Sequence, residues 1–159
     1  MSDTLTATEG QFSFDIESHT APSGTHKPLF RMTVFGEPCS KANSRKVAMN
    51  KATGRKLFIK SKGAREYCES FLKQVGDRRR TLEESGSTLN LITCNVLLHC
   101  NMFYASRRKD LDESLVMDML QNSGIIKNDR LIRQKSIYWF LDKARPRVEI
   151  TLYELEGEY

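Results

Sequence analysis

The strongest constraint on this chain is a two-residue alternation through Ile92, Cys94, Val96, Leu98, Cys100 and Met102, ending at Phe103-Tyr104. Successive side chains of a strand point to opposite faces, so this spacing predicts a long strand with one apolar row. Thr93, Asn95, His99 and Asn101 fall largely on the other row. The strand delivers Arg107-Arg108-Lys109-Asp110-Leu111-Asp112-Glu113 at its C-terminal edge, a run in which carboxylates are embedded among cations.

Other elements follow from similar patterns. Phe30, Met32 and Val34 alternate with Arg31 and Thr33 and stop at Gly36-Glu37-Pro38, which predicts a first strand and a turn. Residues 39 to 55 are polar, basic and contain Gly54, which predicts an exposed loop, and residues 56 to 60 read as a short strand. Ser61 can cap a helix in which Ala64, Tyr67, Cys68, Phe71, Leu72 and Val75 recur at helical spacing. Arg78-Arg79-Arg80 would close it, because cations suit the negative end of a helix dipole. A second helix is predicted from about Leu111 to Asn122, with Leu111, Leu115 and Met119 on one face and Gly124 at its end. Two final strands are expected at about 135 to 141 and 147 to 154, either side of Ala144-Arg145-Pro146, with Tyr138, Trp139 and Phe140 as core.

A chain of 159 residues with 39% hydrophobic content supports one domain with a continuous core. Residues 1 to 28, rich in Thr, Ser, Gly and acid, read as a flexible acidic tail in which only Phe12 and Phe14 suggest docking. That leaves 29 to 155 as the folded domain and 156 to 159 as a C-terminal tail. Cys39, Cys68, Cys94 and Cys100 form no C-x-x-C pair, and no secretory leader is evident, so reduced thiols in a cytoplasmic protein are expected. His19, His26 and His99 are too scattered for a zinc site. No apolar run reaches the roughly 18 residues of a membrane span.

The net charge of +5 is unevenly spread, since residues 31 to 65 hold ten Lys and Arg against the single acid Glu37. Such a segment can neutralise phosphates, with Lys41, Arg45, Lys46, Arg55, Lys56 and Lys60 as candidate contacts, or it can simply solvate a loop. Phe58 and Tyr104 can stack on nucleic-acid bases or pack internally.

Asp110, Asp112 and Asp129 are the candidate metal-binding carboxylates, because Mg²⁺ takes oxygen ligands and a phosphodiester takes positive charge. Asp129 follows the second helix and can return to the same edge. The competing reading is structural: Asp110 and Glu113 have D-x-x-E spacing, which suits a capping box, and Asp129 can pair with Arg130 or Arg133. Asp118 falls on the apolar side of the second helix and therefore needs a partner, either an Arg or backbone donor or a metal ligand that it orients.

These motifs together resemble the RusA-type Holliday-junction resolvases. The likeness rests on Val34-Phe35-Gly36-Glu37-Pro38, the basic Ser40-Lys41-Ala42-Asn43-Ser44-Arg45, Arg108-Lys109-Asp110-Leu111-Asp112, Gly124-Ile125-Ile126-Lys127-Asn128-Asp129 and Pro146-Arg147-Val148-Glu149-Ile150, spanning roughly residues 30 to 154. The resemblance implies an α/β (α+β) fold, a small mixed sheet with two main helices packed on it, in a homodimer. It also implies a crossover junction endodeoxyribonuclease of DNA recombination and repair, in a bacterial or phage-infected bacterial cell. Mg²⁺, with Mn²⁺ as a substitute, would sit on Asp110, Asp112 and Asp129, while Arg107 and Arg108 would join the DNA-binding cations.

Three departures from the family pattern stand out. Glu113 occupies the place of an Asn, and no Lys occurs between Glu113 and Ile126, which leaves Lys109 or Lys127 to reach the scissile phosphate. Asn128 also stands where an acid often precedes the last Asp. The rival expectations are a non-catalytic nucleic-acid-binding protein on the same fold and a protein-binding adaptor that uses the tail and a strand edge.

Overall fold

The computed structural model describes residues 27–41 and 45–157. Phe12, Phe14, His19, His26 and the Ala42-Asn43-Ser44 part of the basic motif lie outside the described residues. The elements run β1 (Pro28–Phe35), β2 (Arg45–Met49), β3 (Lys56–Lys60), α1 (Lys62–Glu84), β4 (Val96–Tyr104), α2 (Ser114–Asn122), one 3-10 turn (Asp129–Leu131), β5 (Ile132–Leu141) and β6 (Arg147–Glu154).

Four strands form a mixed sheet in the order β1-β6-β4-β5, while β2 and β3 form a separate two-stranded ribbon. β4 is antiparallel to β6 and parallel to β5. A parallel pair needs a crossover, and α2 supplies it. Eight of the nine β4 residues are buried, because the strand lies inside the sheet and is covered on both faces. Val96, Leu98, Cys100, Met102 and Tyr104 join Tyr67, Phe71 and Val75 of α1 and Leu115, Met119 and Leu120 of α2 in one core. On the other row, Phe103 stacks on Phe140 with centroids 4.9 Å apart, and the Arg147 guanidinium lies 3.7 Å over the Phe103 ring.

Several sequence expectations are corrected. The alternation from Ile92 becomes strand only at Val96; Ile92 instead bridges Ile126, donating to Ile125 O and accepting from Lys127 N–H, which draws residues 93 to 95 off the ladder. α1 continues through the arginines to Glu84 and ends where Gly86, at φ +77°, accepts the left-handed conformation. Arginine is a good helix former, and Arg79 turns across to α2, so the triplet does not stop the helix. Leu72 remains 43% exposed. The expected loop from 39 to 55 contains β2, which pairs with β3 through Val47↔Phe58 at its centre, a β-branched and aromatic pair that suits a pleated ribbon. Tyr138, Trp139 and Phe140 are only half-buried or exposed, because β5 is an edge strand.

Candidate nucleic-acid interface and acidic edge

Beyond β4 the chain turns through residues 105 to 113 before α2 begins. Trp139 positions this segment: its ring stacks on Tyr104 at 5.8 Å and its indole N–H donates to Lys109 O at 3.1 Å. Arg107 and Arg108 are exposed in the turn itself. Asp110 and Lys109 line a cleft of about 190 Å³ together with Cys39, Tyr104 and the first turn of α1. Burial raises the Cys39 thiol above its ordinary range, with nearby Lys109 opposing, and pushes the Tyr104 phenol up to about 12. Neither is poised as a nucleophile at neutral pH.

Asp112 has both carboxylate oxygens engaged. Its Oδ1 accepts the Ser114 N–H at 2.9 Å and the Ser114 hydroxyl, and its Oδ2 accepts the Lys41 N–H at 3.0 Å. Burial acts to raise its pKa, but the hydrogen bonds from Ser114, Ser40 and Lys41 together outweigh it, and the carboxyl is held below its ordinary 3.8. The capping box does not form, because α2 starts at Ser114 and Glu113, at the N-cap position, makes no capping bond. Glu113 pairs instead with Lys135 Nζ at 2.6 Å, and Leu111 lies outside the helix, 43% exposed.

Lys41 makes the central connection. Its ammonium lies 2.8 Å from Asp118 while its backbone N–H holds Asp112, so one residue ties together two acids six positions apart. Asp118 thus obtains the partner its place on α2 demands, and the partner is a lysine rather than an arginine or the backbone. A third pair joins Lys109 and Glu37 at 3.9 Å, and Glu37 Oε2 also accepts the Ala105 N–H. Sequence reasoning passed over Glu37, although it is the one acid among ten cations between residues 31 and 65. The edge therefore consists of Glu37, Glu113 and Asp118, each carrying its own lysine, and of Asp112, held by the N–H and O–H donors of Lys41 and Ser114.

Asp110, Asp112 and Asp129 are not gathered to a common point. Among the described residues, no three Asp, Glu, His or Cys side chains stand close enough to hold a metal ion. Topology gives the reason: Val96 is in register with Ile132, so Asp129, just ahead of β5, belongs at the end of the sheet where β4 begins. Asp112 precedes α2 instead, and the nine residues of that helix put about 13 Å between its two ends. Asp129 donates its backbone N–H to Gln121 Oε1 near the end of α2, and Asn128 caps the 3-10 turn. Lys127 is exposed there, bound through its backbone N–H to Ile92 O. The donors are hard oxygens of the kind Mg²⁺ takes, but the three are not brought to one point, and Ser114 and Lys41 already bond the Asp112 oxygens.

The basic segment becomes a projecting ribbon. Residues 45 to 60 carry Arg45, Lys46, Lys51, Arg55, Lys56 and Lys60 and no acid. Every β3 residue is exposed, as is all of β2 except Ala48. At the tip, Asn50 and Arg55 are joined by a backbone hydrogen bond, and Asn50 Oδ1 accepts the Ala52 N–H. Of the two aromatic candidates for stacking on DNA, Tyr104 is buried in the core and Phe58 is 72% exposed.

Fold and site together define an α+β protein with a mixed four-stranded sheet, a lysine-neutralised acidic edge beside α2 and a cationic ribbon. No family model matches the chain, and no curated protein matches it. Among the described residues, no helix is long and apolar enough to cross a membrane.

Proposed function

We propose that this chain is a structure-selective DNA endonuclease acting on four-way junctions and related branched DNA, as the resemblance to the RusA-type resolvases implies. The observation that supports it best is Lys41. This residue stands four positions ahead of the ribbon's first strand and holds Asp112 and Asp118, so a polynucleotide gripped by the ribbon passes beside the acidic edge. In this reading Arg45, Lys46, Arg55, Lys56, Lys60, Arg107 and Arg108 contact phosphates and fix the register of the duplex. Asp112, ionised at neutral pH, orients through a remaining lone pair of Oδ2 the water that attacks phosphorus as the bond to the leaving 3′ oxygen breaks. Mg²⁺ or Mn²⁺ is the cofactor the resemblance implies. Paired nicking requires two such edges related by a two-fold axis, hence a homodimer.

The test is a labelled four-way junction incubated with Mg²⁺, with Mn²⁺ and with EDTA, comparing the natural chain with Asp112→Asn. Paired nicks from the natural chain in either metal, and junction binding without nicks from the variant, are expected. Equal products from both chains would remove Asp112 from the reaction. One observation favours a second reading, a non-catalytic nucleic-acid-binding protein: Asp112 and Asp118 are already satisfied by Lys41 and Ser114. That protein would bind the junction equally in EDTA and in metal and would leave it uncut in both.

A further inference from the structure

Among the described residues, the β2–β3 ribbon is the least self-sufficient element. Phe58 is 72%, Met49 65% and Val47 58% exposed, and Leu57 and Ile59 are close to half exposed. A two-stranded hairpin is marginal alone in water, so such apolar exposure calls for an occupant. The register shows what that occupant meets. Directly opposed residues share a face, so one face reads Arg45/Lys60, Val47/Phe58, Met49/Lys56, and the other Lys46/Ile59 and Ala48/Leu57. On the first face an aromatic and a β-branched side chain stand in the middle, with cations two residues away in both directions, about 7 Å along the strand.

Three occupants can be weighed against this pattern. A second copy of the ribbon would set six positive charges against six more with no acid in either segment, and a two-fold interface would place like on like. A lipid surface takes an apolar face opposed to a charged one, whereas here both faces mix cations with apolar groups. A nucleic acid with a disrupted stack fits: a two-stranded ribbon is admitted by the major groove, the cations meet phosphates, and an exposed aromatic ring finds an unstacked base.

We propose that the ribbon is the element that recognises the branch point, with Phe58 stacking on a base exposed at the crossover while the cations on either side of it hold the flanking phosphates. This rests on the reading of the chain as a branched-DNA protein and adds the residue that discriminates branched from linear DNA. Because Phe58 is largely in solvent, its replacement leaves the core intact.

The experiment measures binding of the full chain, in EDTA, to a four-way junction carrying 2-aminopurine at the crossover and to a linear duplex of the same sequence. The natural chain is expected to prefer the junction and to change the 2-aminopurine fluorescence. Phe58→Ala should lose about tenfold in junction affinity, keep its duplex affinity and melting temperature, and give no fluorescence change. Phe58→Trp should restore both preference and signal. Natural-like junction binding and fluorescence from Phe58→Ala would overturn the proposal. So would sedimentation showing that Phe58→Ala converts a dimer to a monomer, since the ring would then belong to a seam between copies. Failure of the folded natural chain to bind either DNA would defeat the underlying reading itself, an outcome distinct from binding that ignores Phe58.

Discussion

The ammonium of Lys41 lies 2.8 Å from Asp118, a contact that joins residues 77 positions apart and fixes the segment ahead of the ribbon to the middle of α2. The two side chains are 42% and 30% exposed, so solvent screens the pair and its worth is about 0.5–1 kcal/mol. Lys41→Ala should therefore lower the melting temperature by about 1–4 °C. The same variant removes the cation that stands beside the acids, so millimolar Mg²⁺ should raise its melting temperature more than that of the natural chain. Equal shifts in both chains would show that Lys41 does not compete for the acidic edge.

Asp112 should leave a signature in the acid limb of stability. Its folded carboxyl titrates below 3.8 because the hydrogen bonds from Ser114, Ser40 and Lys41 outweigh its burial. The unfolded chain therefore binds the proton first as pH falls. The stabilisation is complete above the ordinary value and is lost as pH drops through the lower, folded value. Urea midpoints followed from about pH 6 to about pH 2 should fall less steeply for Asp112→Asn than for the natural chain. Parallel curves would mean that the carboxylate has no protected environment.

Arg79 should prove structural despite its place in an arginine triplet. Its guanidinium donates to Ser123 O at 2.7 Å and Gly124 O at 3.0 Å, closing the end of α2 that leads to Asp129. Arg79→Ala leaves those carbonyls without their charged donor and should cost about 1–3 kcal/mol, read as a drop in urea midpoint. Arg78→Ala, at an exposed position, should cost less than about 0.5 kcal/mol. Gly124→Ala should be destabilising too, since the residue sits at φ +69° and an added Cβ would lie 3.2 Å from the Arg79 guanidinium.

What was legible in the sequence was whatever depends on local periodicity. The β6 span, the Ser61 cap and β4 from Val96 onward stand where the pattern puts them, because strand and helix periods are written in adjacent residues. The ribbon was half legible: β3 was foreseen, but β2 is held by cross-strand partners seven to fifteen residues away, and Val47 and Met49 carry too weak an alternation by themselves. The acidic edge was least legible. That Glu113 turns to Lys135 and Asp118 to Lys41 follows from how β5 and residue 41 approach α2, which spacing within the loop does not encode.

The ribbon's charge makes the final prediction quantitative. Each phosphate contact made by a lysine or arginine releases a condensed counterion, so the logarithm of the binding constant falls with the logarithm of salt by about 0.9 per contact on duplex DNA. Lys46 and Lys56 lie on opposite faces of the ribbon, in separate cross-strand pairs, and neither forms an ion pair with an acid among the described residues. If both meet phosphates, replacing the two with alanine should lower the salt slope by about 2 on linear duplex and junction alike, without altering the preference between them. If only one face meets the duplex, a single replacement carries the whole change and the other is silent. An undiminished slope in the double variant would remove Lys46 and Lys56 from the phosphate contacts and leave those to the ribbon's Arg45, Arg55 and Lys60 or to Arg107 and Arg108 of the turn after β4.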